Sequence, residues 1–134
     1  MHAQPRLGFC CKCVLDEPPG THATLKAERE ATLHMNLTSV TMAHLTKLEP
    51  AARRAKLAGL VAHNLAALAR QIAWVGARPP LERLLRMASN VLPGYTHPIA
   101  QAIYAEPEMA ALVERGLAEA GALARRLGVR LSFH

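Results

Sequence analysis

Aromatic side chains are scarce in this sequence, at 4% of 134 residues, so its core must be filled by aliphatic groups. No apolar run reaches the roughly 18 residues that a membrane-crossing helix needs. The start MHAQPRLGF has neither the n-region nor the h-region of a secretory signal. These absences point to a cytoplasmic protein with no membrane partner. The sequence also lacks G-x-x-x-x-G-K-[ST], G-x-G-x-x-G and G-x-S-x-G. A P-loop, a dinucleotide site and a nucleophile elbow are thereby argued against, and no nucleotide cofactor is expected. No general acid/base pair stands out, and no internal repeat or low-complexity tract is present.

Hydrophobic residues make up 51% and charged residues 19%, a globular rather than a disordered balance. The length suits one domain. Sixteen Lys and Arg against ten Asp and Glu give a net charge of +6. Such an excess favours a polyanionic partner such as DNA, RNA or a phosphorylated metabolite, although ordinary basic helix faces account for it equally well. Cys10, Cys11 and Cys13 crowd into GFCCKCV. That cluster suits neither a disulfide framework nor the usual zinc spacing, and reduced, partly buried thiols are the favoured reading over a metal site.

Arg6 to Lys12 is short, apolar-rich and preceded by Pro5, which predicts a buried first strand. Val14 to about Met35 mixes turn residues with a weakly helical patch and predicts a long excursion. Asn36 to Lys47 is rich in hydroxyl side chains, and Pro50 can open a helix because its missing N–H is harmless in the first turn. Leu57, Leu60, Val61, Leu65, Leu68, Ile72 and Val75 then line one helical face, with Arg53, Arg54, Lys56 and Arg70 mainly outside. Gly76, Pro79 and Pro80 end that helix.

Leu84 to Ala88 predicts a second strand, left by the loop VLPGYTHP, and IAQAIYA predicts a short helix. A second long helix follows Pro107, with Met109, Leu112, Val113, Leu117, Ala120, Leu123 and Leu127 on one face and Gly128 as its stop. In VRLSFH, Val129, Leu131 and Phe133 alternate with Arg130, Ser132 and His134. The order strand, helix, strand, helix, strand is the grammar of an α/β fold with parallel crossovers. The polar face of the last strand favours a barrel, with Arg130, Ser132 and His134 towards the lumen and Val129, Leu131 and Phe133 against helices.

Barrel sites form at the C-terminal ends of strands, which is where His97 and His134 fall. Imidazole is a common metal ligand, but a lone histidine near an element end is more often structural, and 37 positions of separation is no local motif. His2, His22, His34, His44 and His63 have no partner at ligand spacing and read as structural or solvated.

Five segments together carry a resemblance: RLGFCCK, NLTSVTMAHL, LAGLVAHNLAAL, LLRMASNVLPGYTHP and ALARRLGVRLSFH. They resemble the N-terminal part of the UV-damage endonucleases, ATP-independent repair enzymes of the xylose-isomerase-like barrel class. The most specific parts are R-x-x-S-x-x-x-P-x-x-x-H-P and R-L-S-x-H. The resemblance implies a partial (β/α)8 TIM barrel, with residues 1–134 as the N-terminal segment of a single domain. It implies a divalent metal, Mn²⁺ in a multimetal site, and damaged double-stranded DNA as partner, cut immediately 5′ to pyrimidine dimers and other photoproducts. Metal ions suit such a hydrolysis because they generate a hydroxide and neutralise developing phosphate charge.

By position, the resemblance makes His97 and His134 metal ligands, and makes Asn36 and Arg86 contacts to the damaged DNA. In relatives Pro-Gly-Gln follows the final histidine, and the remaining His, Glu and Asp ligands lie on later strands. With two ligands, the segment is expected to be nearly inactive alone, and no other catalytic residue is assigned within it. Asn90 stands where relatives often have an acidic residue or histidine, and Phe9 where some have tyrosine, so neither receives a family role. Two rivals stand beside this expectation: a sugar isomerase or epimerase of the same barrel class, and a non-enzymatic module built on Cys10, Cys11 and Cys13.

Overall fold

Threonine and proline mark where the helices begin. In the computed structural model, which describes residues 8–10, 24, 27 and 33–133, Thr41 caps helix α1 (Met42–Lys47) by accepting the His44 N–H at 3.2 Å. Pro50, Pro98 and Pro107 each open the next helix: α2 (Pro50–Gly76), α3 (Pro98–Tyr104) and α4 (Pro107–Leu127). Gly128 stops α4 with φ of 67°, a left-handed conformation that a side chain would disfavour.

Strands β1 (Phe9–Cys10), β2 (Leu84–Met87) and β3 (Arg130–Phe133) form one sheet in the order β1-β2-β3, with both pairings parallel. Parallel neighbours need crossover connections, and α2 and α4 are the long helices that lie between successive strands. Phe9 pairs with Leu85 and Leu85 with Leu131, so these side chains share one face. There they meet Leu57, Val61, Leu68, Ile72 and Val75 of α2 and Ala120 and Ala124 of α4 in a single apolar cluster. The opposite face carries Cys10, Arg86 and Ser132 in register, with Gly8 and Arg130, and all five are exposed.

The apolar stripe of α2 is buried at each of its seven predicted positions. Burying a leucine, isoleucine or valine contributes roughly 1.5–3 kcal/mol, so this stripe is a principal anchor of the helix. At its C-terminal end the Phe9 and Trp74 rings meet edge to face at 4.7 Å, and the Arg78 guanidinium lies over both, 5.7 and 5.4 Å from their centroids. The first strand is thereby tied to the end of the first crossover helix.

Four expectations need correction. Leu117 is 38% exposed, because α4 approaches the core through Met109, Ala120 and Ala124 and Leu117 falls off that line. Phe133 does not pack against helices: it is 68% exposed at the end of β3, outside the apolar cluster. Cys10 is exposed rather than partly buried, since it sits on the open face of the sheet. Arg53 is half-buried and binds three carbonyls around the end of α1, with Nε donating to Leu45 O at 3.0 Å and Nη2 to Thr46 O at 2.9 Å and Leu48 O at 3.0 Å. The greater part of the predicted first strand, most of the 14–35 excursion, Cys11, Cys13 and His134 lie outside the described residues.

Candidate nucleic-acid interface

In parallel α/β folds, ligand sites lie beyond the C-terminal ends of the strands. Two described segments lie in the connections that follow these strands: residues 33–41, before α1, and residues 88–97, directly after β2. Both are held by polar side chains of α2. Asn64 is fully buried, accepts the Thr38 N–H at 2.8 Å, and donates through Nδ2 to Thr38 O at 2.9 Å and to Asn90 O and Val91 O at 3.3 Å. One amide thus joins the segment after β1 to the segment after β2.

Three neighbours extend the clamp. Gln71, 2% exposed, donates to Met35 O at 2.7 Å, and Arg70 donates to His34 O at 3.0 Å. His63 Nε2 lies 3.0 Å from Asn36 O, and because a carbonyl only accepts, Nε2 carries the proton. His63 and Arg70, and likewise Asn64 and Gln71, stand two helical turns apart, so one edge of α2 holds the backbone at residues 34, 35, 36 and 38. Sequence reasoning missed this clamp. Its signal is the polar pair Asn64 and Gln71 set inside an otherwise apolar stripe.

The segment after β2 is shaped as tightly. Gly94 has φ of 65°, a left-handed conformation that glycine adopts without strain, and a Cβ there would press on the end of the Met42 side chain of α1, 2.6 Å from Sδ. The His97 N–H closes the turn on Gly94 O at 2.8 Å. Buried Tyr104 donates its hydroxyl to Pro93 O at 2.8 Å, and the Tyr95 ring packs on it at 5.2 Å and 60°. Burial, and next the neighbouring Tyr95, push the Tyr104 phenol well above the ordinary tyrosine range.

The predicted site residues occupy distinct places. Asn36 is half-buried with its carbonyl held by His63. Arg86 is exposed at the centre of the open sheet face, between Cys10 and Ser132 in register. His97 is exposed as the cap of α3, its Nδ1 accepting the Ile99 N–H at 3.3 Å. With that lone pair taken, the neutral ring carries its proton on Nε2, and a metal could bind only after the cap or the tautomer changes. His134 lies outside the described residues. Among the described residues no three His, Cys, Asp or Glu side chains come together as a metal site requires, so these residues alone do not fit a metal centre.

The arrangement offers a polar, arginine-bearing sheet face bordered by two firmly held segments. Comparison with known proteins gives it a context. The sequence profile described as UV-endonuclease UvdE matches residues 20–134. No curated protein and no solved structure matches the chain.

Proposed function

This chain belongs to the UV-endonuclease UvdE family, and we propose that it works in DNA repair by incising damaged duplex DNA immediately 5′ to UV photoproducts. The observation that carries this reading is the family match across residues 20–134. Arg86, towards the C-terminal end of β2 on the polar sheet face, supports it, since an arginine there can attract a phosphate. A neutral sugar would make little use of that charge, and the family match favours the endonuclease reading over the sugar-isomerase alternative.

The proposal extends to architecture. Three parallel strands in sequential order, with both crossover helices packed in one core on one face, are compatible with the opening of a (β/α)8 barrel, the architecture that the family resemblance implies. In the barrel, the face bearing Arg86, Arg130 and Ser132 becomes the lumen. Among the described residues no helix is long and apolar enough to cross a membrane, which is compatible with a cytoplasmic enzyme.

Within this proposal the chain's own residues bind and orient. Arg86 contacts a backbone phosphate. Asn36, its carbonyl fixed by His63, presents its side chain to the damaged strand. Asn64 holds that segment in register with the turn that carries His97. A divalent metal, with Mn²⁺ the candidate, supplies hydroxide generation and charge neutralisation when bound. His97, once freed from its capping bond, and His134 are the proposed ligands from this chain, with others required to complete the set.

The test uses the full gene product purified from its own host, with any strands encoded after residue 134, and a 5′-labelled duplex carrying one pyrimidine dimer. The expected result is a Mn²⁺-dependent nick immediately 5′ to the dimer, absent with chelator and absent from undamaged DNA. His97→Ala should lower bound Mn²⁺ while replacement of Cys10 by serine leaves it unchanged. A nick that persists in chelator, or no damage-dependent nick, overturns the proposal.

A further inference from the structure

Tyr95 is 55% exposed although it stands in a turn whose neighbours are fixed on every side. The turn is closed by the His97 N–H on Gly94 O at 2.8 Å and by the Tyr95 N–H on Leu92 O at 3.3 Å. Tyr104 backs the ring at 5.2 Å, and its own hydroxyl is anchored on Pro93 O, a residue whose side chain is fully buried. A ring supported in this way loses little further freedom when something stacks on it. A cleft of about 210 Å³ lies beside it, lined by Tyr95, Gln101, Tyr104 and Ala105.

The chemistry of that surface is specific. An aromatic face backed by a second aromatic, with the Gln101 amide at its rim, suits a flat heteroaromatic group with hydrogen-bonding edges. Tyr95 also stands two residues before His97, in the segment that leaves the C-terminal end of β2. Proteins that hold unpaired nucleotides use such rings as sequence-tolerant platforms. An enzyme that recognises pyrimidine dimers needs tolerance of the flanking sequence, because adjacent pyrimidines occur beside any neighbour.

We infer that Tyr95, braced by Tyr104, is a stacking platform for a nucleobase displaced from the damaged duplex. This rests on the endonuclease reading. Tyr95 is a binding and positioning residue, and its hydroxyl has no part in the role.

The experiment compares the unaltered protein with Tyr95→Leu, which keeps apolar packing on Tyr104 without an aromatic face, and Tyr95→Phe, which keeps the face. The probe is a duplex with one pyrimidine dimer and 2-aminopurine beside it, followed by fluorescence anisotropy and by 2-aminopurine emission over a salt series. Thermal midpoints within a few degrees of each other certify that all three proteins fold. Tyr95→Leu should weaken binding about tenfold and abolish quenching of the probe, while Tyr95→Phe should stay within about twofold. The slope of log affinity against log salt should be the same for all three, since no charge changes. Equal affinity and equal quenching in Tyr95→Leu would overturn the platform and leave the endonuclease reading intact. Absence of salt-dependent duplex binding by the unaltered protein would overturn both.

Discussion

Replacing Asn64 by leucine tests the most consequential contact in the fold. The amide has two N–H groups: Thr38 O takes one at 2.9 Å, and Asn90 O and Val91 O, each at 3.3 Å, share the other. With the Thr38 N–H bond to Oδ1 at 2.8 Å, the side chain makes the equivalent of three hydrogen bonds. At about 1 kcal/mol each, the net loss is about 3 kcal/mol, rising towards 5 if the stranded Thr38 groups find no water. Leucine fills a similar volume, so little cavity cost is added. Against a typical total of 5–15 kcal/mol this is a large fraction, and it lowers the thermal midpoint by about 10 °C. Urea unfolding followed by circular dichroism measures the stability, and amide hydrogen exchange reads the Thr38 N–H directly. Asn64→Asp should be worse than leucine at neutral pH, since it sets a buried carboxylate against three carbonyl oxygens, and it should partly recover on acidification as that carboxyl takes a proton. A leucine variant within about 0.5 kcal/mol of the unaltered protein, with Thr38 still protected, would refute the clamp.

Burial holds the Tyr104 phenol above its ordinary pKa of about 10, so the folded state favours the protonated form. The resulting stability is full below pH 10 and is lost as pH rises beyond it. Tyr104→Phe should therefore cost about 1 kcal/mol at pH 8 through the lost bond to Pro93 O, and should show a shallower decline than the unaltered protein between pH 9 and 11 in urea titrations. Arg53→Lys cannot serve Leu45 O, Thr46 O and Leu48 O together, and should lower stability by about 1–2 kcal/mol with the loss confined to exchange protection around α1. Arg86→Ala should weaken duplex binding without regard to sequence and reduce the salt slope by roughly one, as expected for one phosphate contact. A salt slope unchanged by that substitution would remove Arg86 from the DNA surface.

Elements governed by local chemistry were legible in the sequence. The proline at the start and the glycine at the end of each long helix act within a single turn, so Pro50–Gly76 and Pro107–Leu127 emerge from the sequence at their observed bounds. The seven-residue stripe of α2 is equally local, since helical periodicity alone puts those side chains on one side. The same reasoning fails at Leu117 and Phe133. Whether an apolar side chain is covered depends on what lies opposite, and periodicity describes only the face on which it stands.

The site divides along the same line. Strand alternation puts Arg130 and Ser132 opposite Leu131 without knowledge of any partner, and the structure has them so, with Ser132 in register with Arg86, a residue that only the resemblance singled out. The clamp through Asn64 joins residues 26 and 27 positions away to one side chain, and no local pattern encodes such a pairing. What a sequence does expose is a conflict: asparagine and glutamine in a stripe that should be apolar, each costly to bury unless the backbone opposite supplies partners. Read in that direction, Asn64 and Gln71 announce that irregular backbone packs against α2. The segments at 34–38 and 90–91 are that backbone. Asn36, one of the side chains that the resemblance singled out, stands inside the held 34–38 segment, and His97, another, stands six residues beyond Val91. Asn64 bonds to both stretches of backbone, so its loss should disturb them together.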